Sequence, residues 1–316
     1  HVCTRIEHVM HVATIAATIC KGLNKNGWNL NEEMAFAIGL GHDVGHAPFG
    51  HAGENALNKK LTGDFKFVHE VNSYRVVEYL ANDGEGLNLT YGVKDGIINH
   101  NGEKLLQYIT PNKEKNNLDK IIDRNKIACS YEGVIVRFSD VIAYLGRDIE
   151  DAILANLITL EDVPQAIKKE IGGTNGEIIN ALIEDIIEHS KNNEKIGFSN
   201  EKFEMIKVLK DFNYERIYSH PTIIKYRTKG EEIIEELFDS FLDLYNENGQ
   251  DYKKYESSET EACKKFGSYL SKMKVFYDKE KKIPKRIVCD YIAGMTDNYT
   301  LEVYRSLKLP TPIKFT

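Results

Sequence analysis

The chain has 316 residues, 42% of them hydrophobic. It is long enough for one large domain or two smaller ones and apolar enough to exclude wholesale disorder. No apolar run approaches the ~20 residues that cross a bilayer, and the first residues lack the charged-then-apolar pattern of a secretory signal. The formal charge of −7 gives no basic footprint; nucleic acid is not indicated, and an anionic substrate would need local positive charge or a metal.

Helical signals dominate from the first residues. Thr4 with Glu7 three positions on reads as a capping box, and Ile6, Met10, Ala13 and Ala17 then form a stripe at helical spacing. Asn31 is placed to cap a second helix over 32–40, whose acidic first turn suits the helix dipole. Gly45, Pro48 and Gly50 break the pattern into a loop, and a short helix restarts near His51. Periodicity predicts further helices over 69–82, 90–100, 134–157, 161–171, 176–190, 200–211, 229–246, 257–279 and 286–306. Val134-Ile135-Val136 has strand character, but the helical pattern continuing behind it is stronger. The predicted fold class is mainly α. Short linkers rich in Gly, Asn or charge fall at 82–86, 172–175, 192–195 and 246–252. With no compositional shift and no repeat, the expectation is one continuous domain: a catalytic half over 1–157 and an elaborated helical half over 158–316.

Cys3, Cys20, Cys129, Cys263 and Cys289 are scattered with no CxxC pair, as expected of reduced, cytoplasmic thiols. The histidines are not scattered: eight of the ten (His1, His8, His11, His42, His46, His51, His69 and His100) fall in the first hundred residues, which places chemistry there. Segment 41–54 packs His42, Asp43, His46, His51 and Glu54 among Gly45, Pro48, Gly50 and Gly53. Imidazole beside carboxylate suits a first-row divalent ion, although an isolated His-Asp pair more often caps a helix end. His8 alone would cover an amphipathic helix, and Asp140 alone would pair with Arg137. Arg5 lies one helical turn before His8. Glu54, three residues past His51, is either an ordinary first-turn acid or the group that fixes that imidazole's tautomer. Asp140, Tyr144, Arg147 and Asp148 line one helical stripe.

The order Arg5-Ile6-Glu7-His8, then Gly41-His42-Asp43-Val44-Gly45-His46, then Asp140, resembles the H…HD…D signature of the HD superfamily. The continuation Pro48-Phe49-Gly50-His51-Ala52-Gly53-Glu54 resembles its deoxyguanosine triphosphate triphosphohydrolase-like branch. So do Ser139–Asp148 and Asp290–Asp297. The resemblance implies an HD-domain helical fold and one divalent metal (Mn, Mg, Fe, Co, Ni or Zn) held by His8, His42, Asp43 and Asp140. It implies phosphate contacts from Arg5, His46 and His69, a catalytic His51 supported by Glu54, Tyr144 against the deoxyribose and Asp148 on its 3′-hydroxyl. Tyr291 and Asp297 are expected at the nucleotide or a subunit contact, and Arg216 at phosphate or on the surface. The implied reaction converts deoxynucleoside triphosphates to deoxynucleoside and inorganic triphosphate, in a homo-oligomer with a nucleotide effector. Rival readings are an HD hydrolase of alarmones or cyclic nucleotides, and a catalytically silent nucleotide sensor. Two departures stand out. The chain opens seven residues before His8, where family members carry several tens, and Val141 stands where some relatives place a lysine.

Overall fold

The computed structural model describes residues 4–101, 104–281 and 283–309; His1 and Cys3 lie outside them. The helices in chain order are α1 (Arg5–Asn24), α2 (Glu32–Gly41), α3 (His51–Lys60), α4 (His69–Arg75), α5 (Ala81–Gly84), α6 (Tyr91–Ile98), α7 (Tyr131–Leu154) and α8 (Gln165–Glu170). They continue as α9 (Asn175–Ser190), α10 (Asn200–Asn213), α11 (Pro221–Asn248), α12 (Tyr252–Glu256), α13 (Glu261–Lys272), α14 (Lys274–Lys279), α15 (Pro284–Ala293) and α16 (Asp297–Lys308). The fold is mainly α, as the periodicity predicts. Thr4 and Glu7 form the expected capping box, and the Asn31 side chain accepts from Met34 N. The stretch at Val134–Val136 is helical, inside α7. Two-residue strands β1 (Tyr108–Ile109) and β2 (Ile196–Gly197) pair antiparallel, Tyr108 opposite Gly197.

The packing groups the chain into two compact units. One compact unit comprises the residues up to Val44 with Leu89–Ile224, and the other Gly45–Asn88 with the residues from Lys225 on. Each unit draws on both halves of the sequence, through long-range burial that composition does not reveal.

The first unit is built around α7, which packs against α1, α2, α6, α9 and α10. Glycines set how closely these helices approach. A Cβ on Gly39 would lie 2.5 Å from the Ala13 Cα, and one on Gly96 would lie 2.5 Å from Ile38 Cδ1. Native Cβ atoms do not come so near, so α1 and α2 meet almost backbone to backbone, and the α6 backbone lies directly against the Ile38 side chain of α2.

The second unit closes α3 and α11 to α16 over a core that includes Leu57, Leu61, Phe238, Phe241, Phe266 and Ile292. Inside it, Arg75 makes forked bonds to Glu280 (2.5 and 2.6 Å) and to the buried Asp290 (2.9 and 2.7 Å). Removing one partner of such a buried pair costs about 3–5 kcal/mol.

Candidate functional site

In the first unit, His8 is presented by α1, one turn after the exposed Arg5. His42 caps the C-terminus of α2, where the last carbonyls have no helical partner. Its ring nitrogen Nδ1 donates to Gly39 O at 2.7 Å, which fixes the tautomer and leaves Nε2 as the lone-pair nitrogen. From α7, Asp140 Oδ1 lies 3.1 Å from His8 Nε2 and 3.7 Å from His42 Nε2. Donors ~2.1 Å from one ion sit about 3.0 Å apart when adjacent and about 4.2 Å apart when opposite. The three atoms therefore fit a shared divalent ion.

Burial opposes charge on Asp140, yet the His8 hydrogen bond and the charges of His42, His8 and His100 hold its carboxyl well below the usual range. Burial likewise works against the His8 cation, and Asp140, with Asp43 and Asp148 behind it, overrides that and raises its pKa. Asp43 lies with its donor atoms within 4.8 Å of those of His42 and His100. The motif reading did not single out His100, whose donor atom joins this group.

Further along α7, Tyr144 and Asp148 are half-buried. Burial pushes the Asp148 carboxyl up to about 6, although Tyr218 donates a short hydrogen bond to it. Tyr218 is also new: segment 213–220 drew attention to Arg216, which instead forms a surface ion pair with Asp162 at 2.8 Å. Arg147 points to Asp151 at 3.1 Å, and Val141 is buried.

The second unit carries a cluster of its own. His46 stacks on His69 with centroids 4.3 Å apart and planes 3° apart, and His51 meets both edge-on, at 5.2 and 5.8 Å. Their donor nitrogens lie within 4.8 Å of one another. His51 is exposed, at the first turn of α3. It follows a turn in which Phe49 and Gly50 both have positive φ, 61° and 63°. The Phe49 N–H donates to Asp297 at 3.0 Å, and a Cβ on Gly230 would lie 2.9 Å from the Phe49 ring. Glu54, expected to hold His51, is buried and accepts from His69 Nδ1 at 2.8 Å, with Glu70 3.6 Å from the same nitrogen. Tyr291 is packed among Phe241, Phe266 and Tyr269, in the unit's aromatic core.

Residues 5–144 match the HD domain, and residues 196–306 match the phosphohydrolase-associated domain. A deoxyguanosinetriphosphate triphosphohydrolase-like protein of Caldanaerobacter subterraneus subsp. tengcongensis is 36% identical, over 99% of this chain and 77% of its own length. The chain belongs to this HD-domain family. Similarly named relatives from Desulfatibacillum aliphaticivorans and Clostridium tetani are 34% and 32% identical, over 99% and 98% of this chain and 80% and 77% of theirs. It is a phosphohydrolase of the HD type, and its His/Asp cluster has the composition and spacing of a divalent-metal centre. Among the described residues no helix is long and apolar enough to cross a membrane.

Proposed function

We propose that the protein hydrolyses deoxynucleoside triphosphates, dGTP among them, to deoxynucleoside and inorganic triphosphate, using one divalent ion held by His8, His42, Asp43 and Asp140. The observation that carries this reading is the convergence of His8 Nε2 and His42 Nε2 on Asp140 Oδ1, in a chain of this family. When bound, the ion neutralises phosphoryl charge and acidifies a water. The two carboxylates balance its charge, and the anchored His42 ring keeps its lone pair on the ion's side. Arg5, His46 and His69 hold phosphate oxygens, with Glu54 and Glu70 orienting His69. Tyr144 packs on the deoxyribose, and Asp148 accepts from the 3′-hydroxyl. His51 passes a proton to the departing 5′-oxygen.

The test is a matrix of divalent metals against nucleotides, with inorganic triphosphate and deoxynucleoside as the readout. Turnover of deoxynucleoside triphosphates is expected. Turnover of an alarmone or cyclic nucleotide instead, or binding with no product, overturns the reading. Asp140→Ala is expected to lose bound metal and activity while keeping its helical circular dichroism; wild-type metal content in that variant counts against Asp140 as a ligand. The homo-oligomer with a nucleotide effector belongs to the same proposal. Light scattering with and without mixed deoxynucleotides tests it, and a monomer under both conditions contradicts it.

A further inference from the structure

Two hydrogen bonds tie the end of α10 and the turn behind it to α7. Asn213, the last residue of α10, is 1% exposed, and its Nδ2 donates to Leu145 O at 3.0 Å. Five residues on, the Tyr218 hydroxyl donates to Asp148. The two acceptors stand three residues apart on α7, about 4.5 Å along its axis.

An ordinary helix would not make both bonds. At about 100° per residue, five residues sweep about 500° and leave positions 213 and 218 about 140° apart, facing different neighbours. The chain instead runs from α10 into the π-helical turn Tyr214–Tyr218, where the Ser219 N–H donates to Tyr214 O, five residues back, at 3.0 Å. A turn closed in that way sets residues five apart nearly over one another. Tyr214, Glu215 and Arg216 are left exposed, while Asn213 and Ile217 are buried and Tyr218 is half-buried.

The Asn213 amide is costly to keep. Its Oδ1 is buried and has no hydrogen-bond partner among the described residues, and an unmet buried acceptor lowers stability. Leu209, Phe212 and Ile217 already hold the segment by burial, but burial has no direction. We propose that Asn213 is a positioning residue: by pinning the start of the π-helical turn to Leu145 O, it fixes the register at which Tyr218 meets Asp148. Its effect on turnover rests on the reading of Asp148 as a contact to the substrate sugar; the placement of Tyr218 does not.

The experiment uses the full chain labelled with tyrosine carrying 13C at Cζ, whose magnetic resonance signal reports hydrogen bonding of the hydroxyl. The Tyr218 signal is the one missing from Tyr218→Phe, and Asp148→Ala shows where it lies without its acceptor. In Asn213→Leu the signal is expected to move towards its Asp148→Ala position. The same variant, freed of the unmet Oδ1, is expected to melt no lower than the wild type. Its KM for dGTP is expected to rise about tenfold or more, as for the loss of a hydrogen bond to a charged group, with kcat unchanged. The double variant Asn213→Leu/Tyr218→Phe is expected to be no worse than Tyr218→Phe, since Asn213 acts only through the tyrosine. A Tyr218 signal that stays in place, with or without a fall in melting temperature, overturns the proposal, and so do effects that multiply in the double variant. Asn213→Ala cannot overpack, and it gives the same reading of the signal if the leucine disturbs folding. If the wild type does not turn over dGTP, the proposed function fails, and the Tyr218 signal still decides the role of Asn213.

Discussion

Burial lifts the Asp148 carboxyl to about 6 even though Tyr218 donates to it. Its folded pKa thus lies above its ordinary value of 3.8, so between those two pH values the folded state binds more protons than the unfolded state. Stability must fall as pH rises through that window, by at most about 3 kcal/mol from this group, and stay lower above it. Asp148→Asn removes the titration and keeps an acceptor for Tyr218. In chelator it should match the wild type near pH 4 and be more stable above pH 7, which chemical denaturation at both pH values will show; equal stability throughout would refute the burial argument. His51 and Glu54 make a second case. His51→Ala should keep its metal and lose at least about 100-fold in kcat, the lower end for a general acid. Glu54 bonds to His69, so Glu54→Gln should act through a different imidazole. Its effect should then multiply with that of His51→Ala in the double variant, whereas a double variant no worse than His51→Ala would return Glu54 to His51. The HD pair was legible because its two donors are neighbours in sequence. His100 and Tyr218 were not, because each reaches its partners only through folding.

At the level of elements, the turn before α3 carries strain that its neighbours must hold. Phe49 has φ 61°, a left-handed backbone costing an L-residue roughly 1–2 kcal/mol. Asp297 at the start of α16 accepts the Phe49 N–H, and the absent side chain of Gly230 on α11 makes room for the ring. Gly230→Ala would put a methyl 2.9 Å from Phe49 Cγ and 3.0 Å from its Cβ. Overpacking of this kind costs about 1–3 kcal/mol, and the ring can yield only by moving the turn that starts His51. The variant should melt a few degrees lower and turn over more slowly with its metal content unchanged. Wild-type melting and kcat would show that Gly230 is not what holds the turn. Most elements could be read from sequence because their signals are local: the capping box at Thr4, the Asn31 cap, and the turn at 82–86, where Asn82, Asp83, Gly84 and Gly86 all have positive φ. The π-helical turns at Val76–Leu80 and Tyr214–Tyr218 and the two-residue strands carry no such signal, since tertiary contacts alone select them.

For the molecule as a whole, the order of the chain and the order of packing differ, and that has a consequence for folding. Residues 45–88 belong with the residues from Lys225 on, and the intervening 89–224 belong with the first 44. The apolar face of α3, with Leu57 and Leu61, is buried against Phe238, Phe241, Phe266 and their neighbours. These partners are synthesised more than a hundred residues later. In the first unit, α7 needs α9, whose Ile178, Leu182 and Ile186 are fully buried. A fragment of residues 1–157 therefore holds every ligand proposed for the metal but neither completed core. Each buried Leu or Phe left uncovered forfeits roughly 1.5–3 kcal/mol, against a total stability of only about 5–15 kcal/mol for a typical domain. The fragment should keep some helix, bind a hydrophobic dye, melt without a sharp transition and hold divalent metal far more weakly than the intact chain. Sharp melting with wild-type Mn2+ affinity in the fragment would mean that the first half folds by itself, and that the discontinuous packing of the two units is not what stabilises the site.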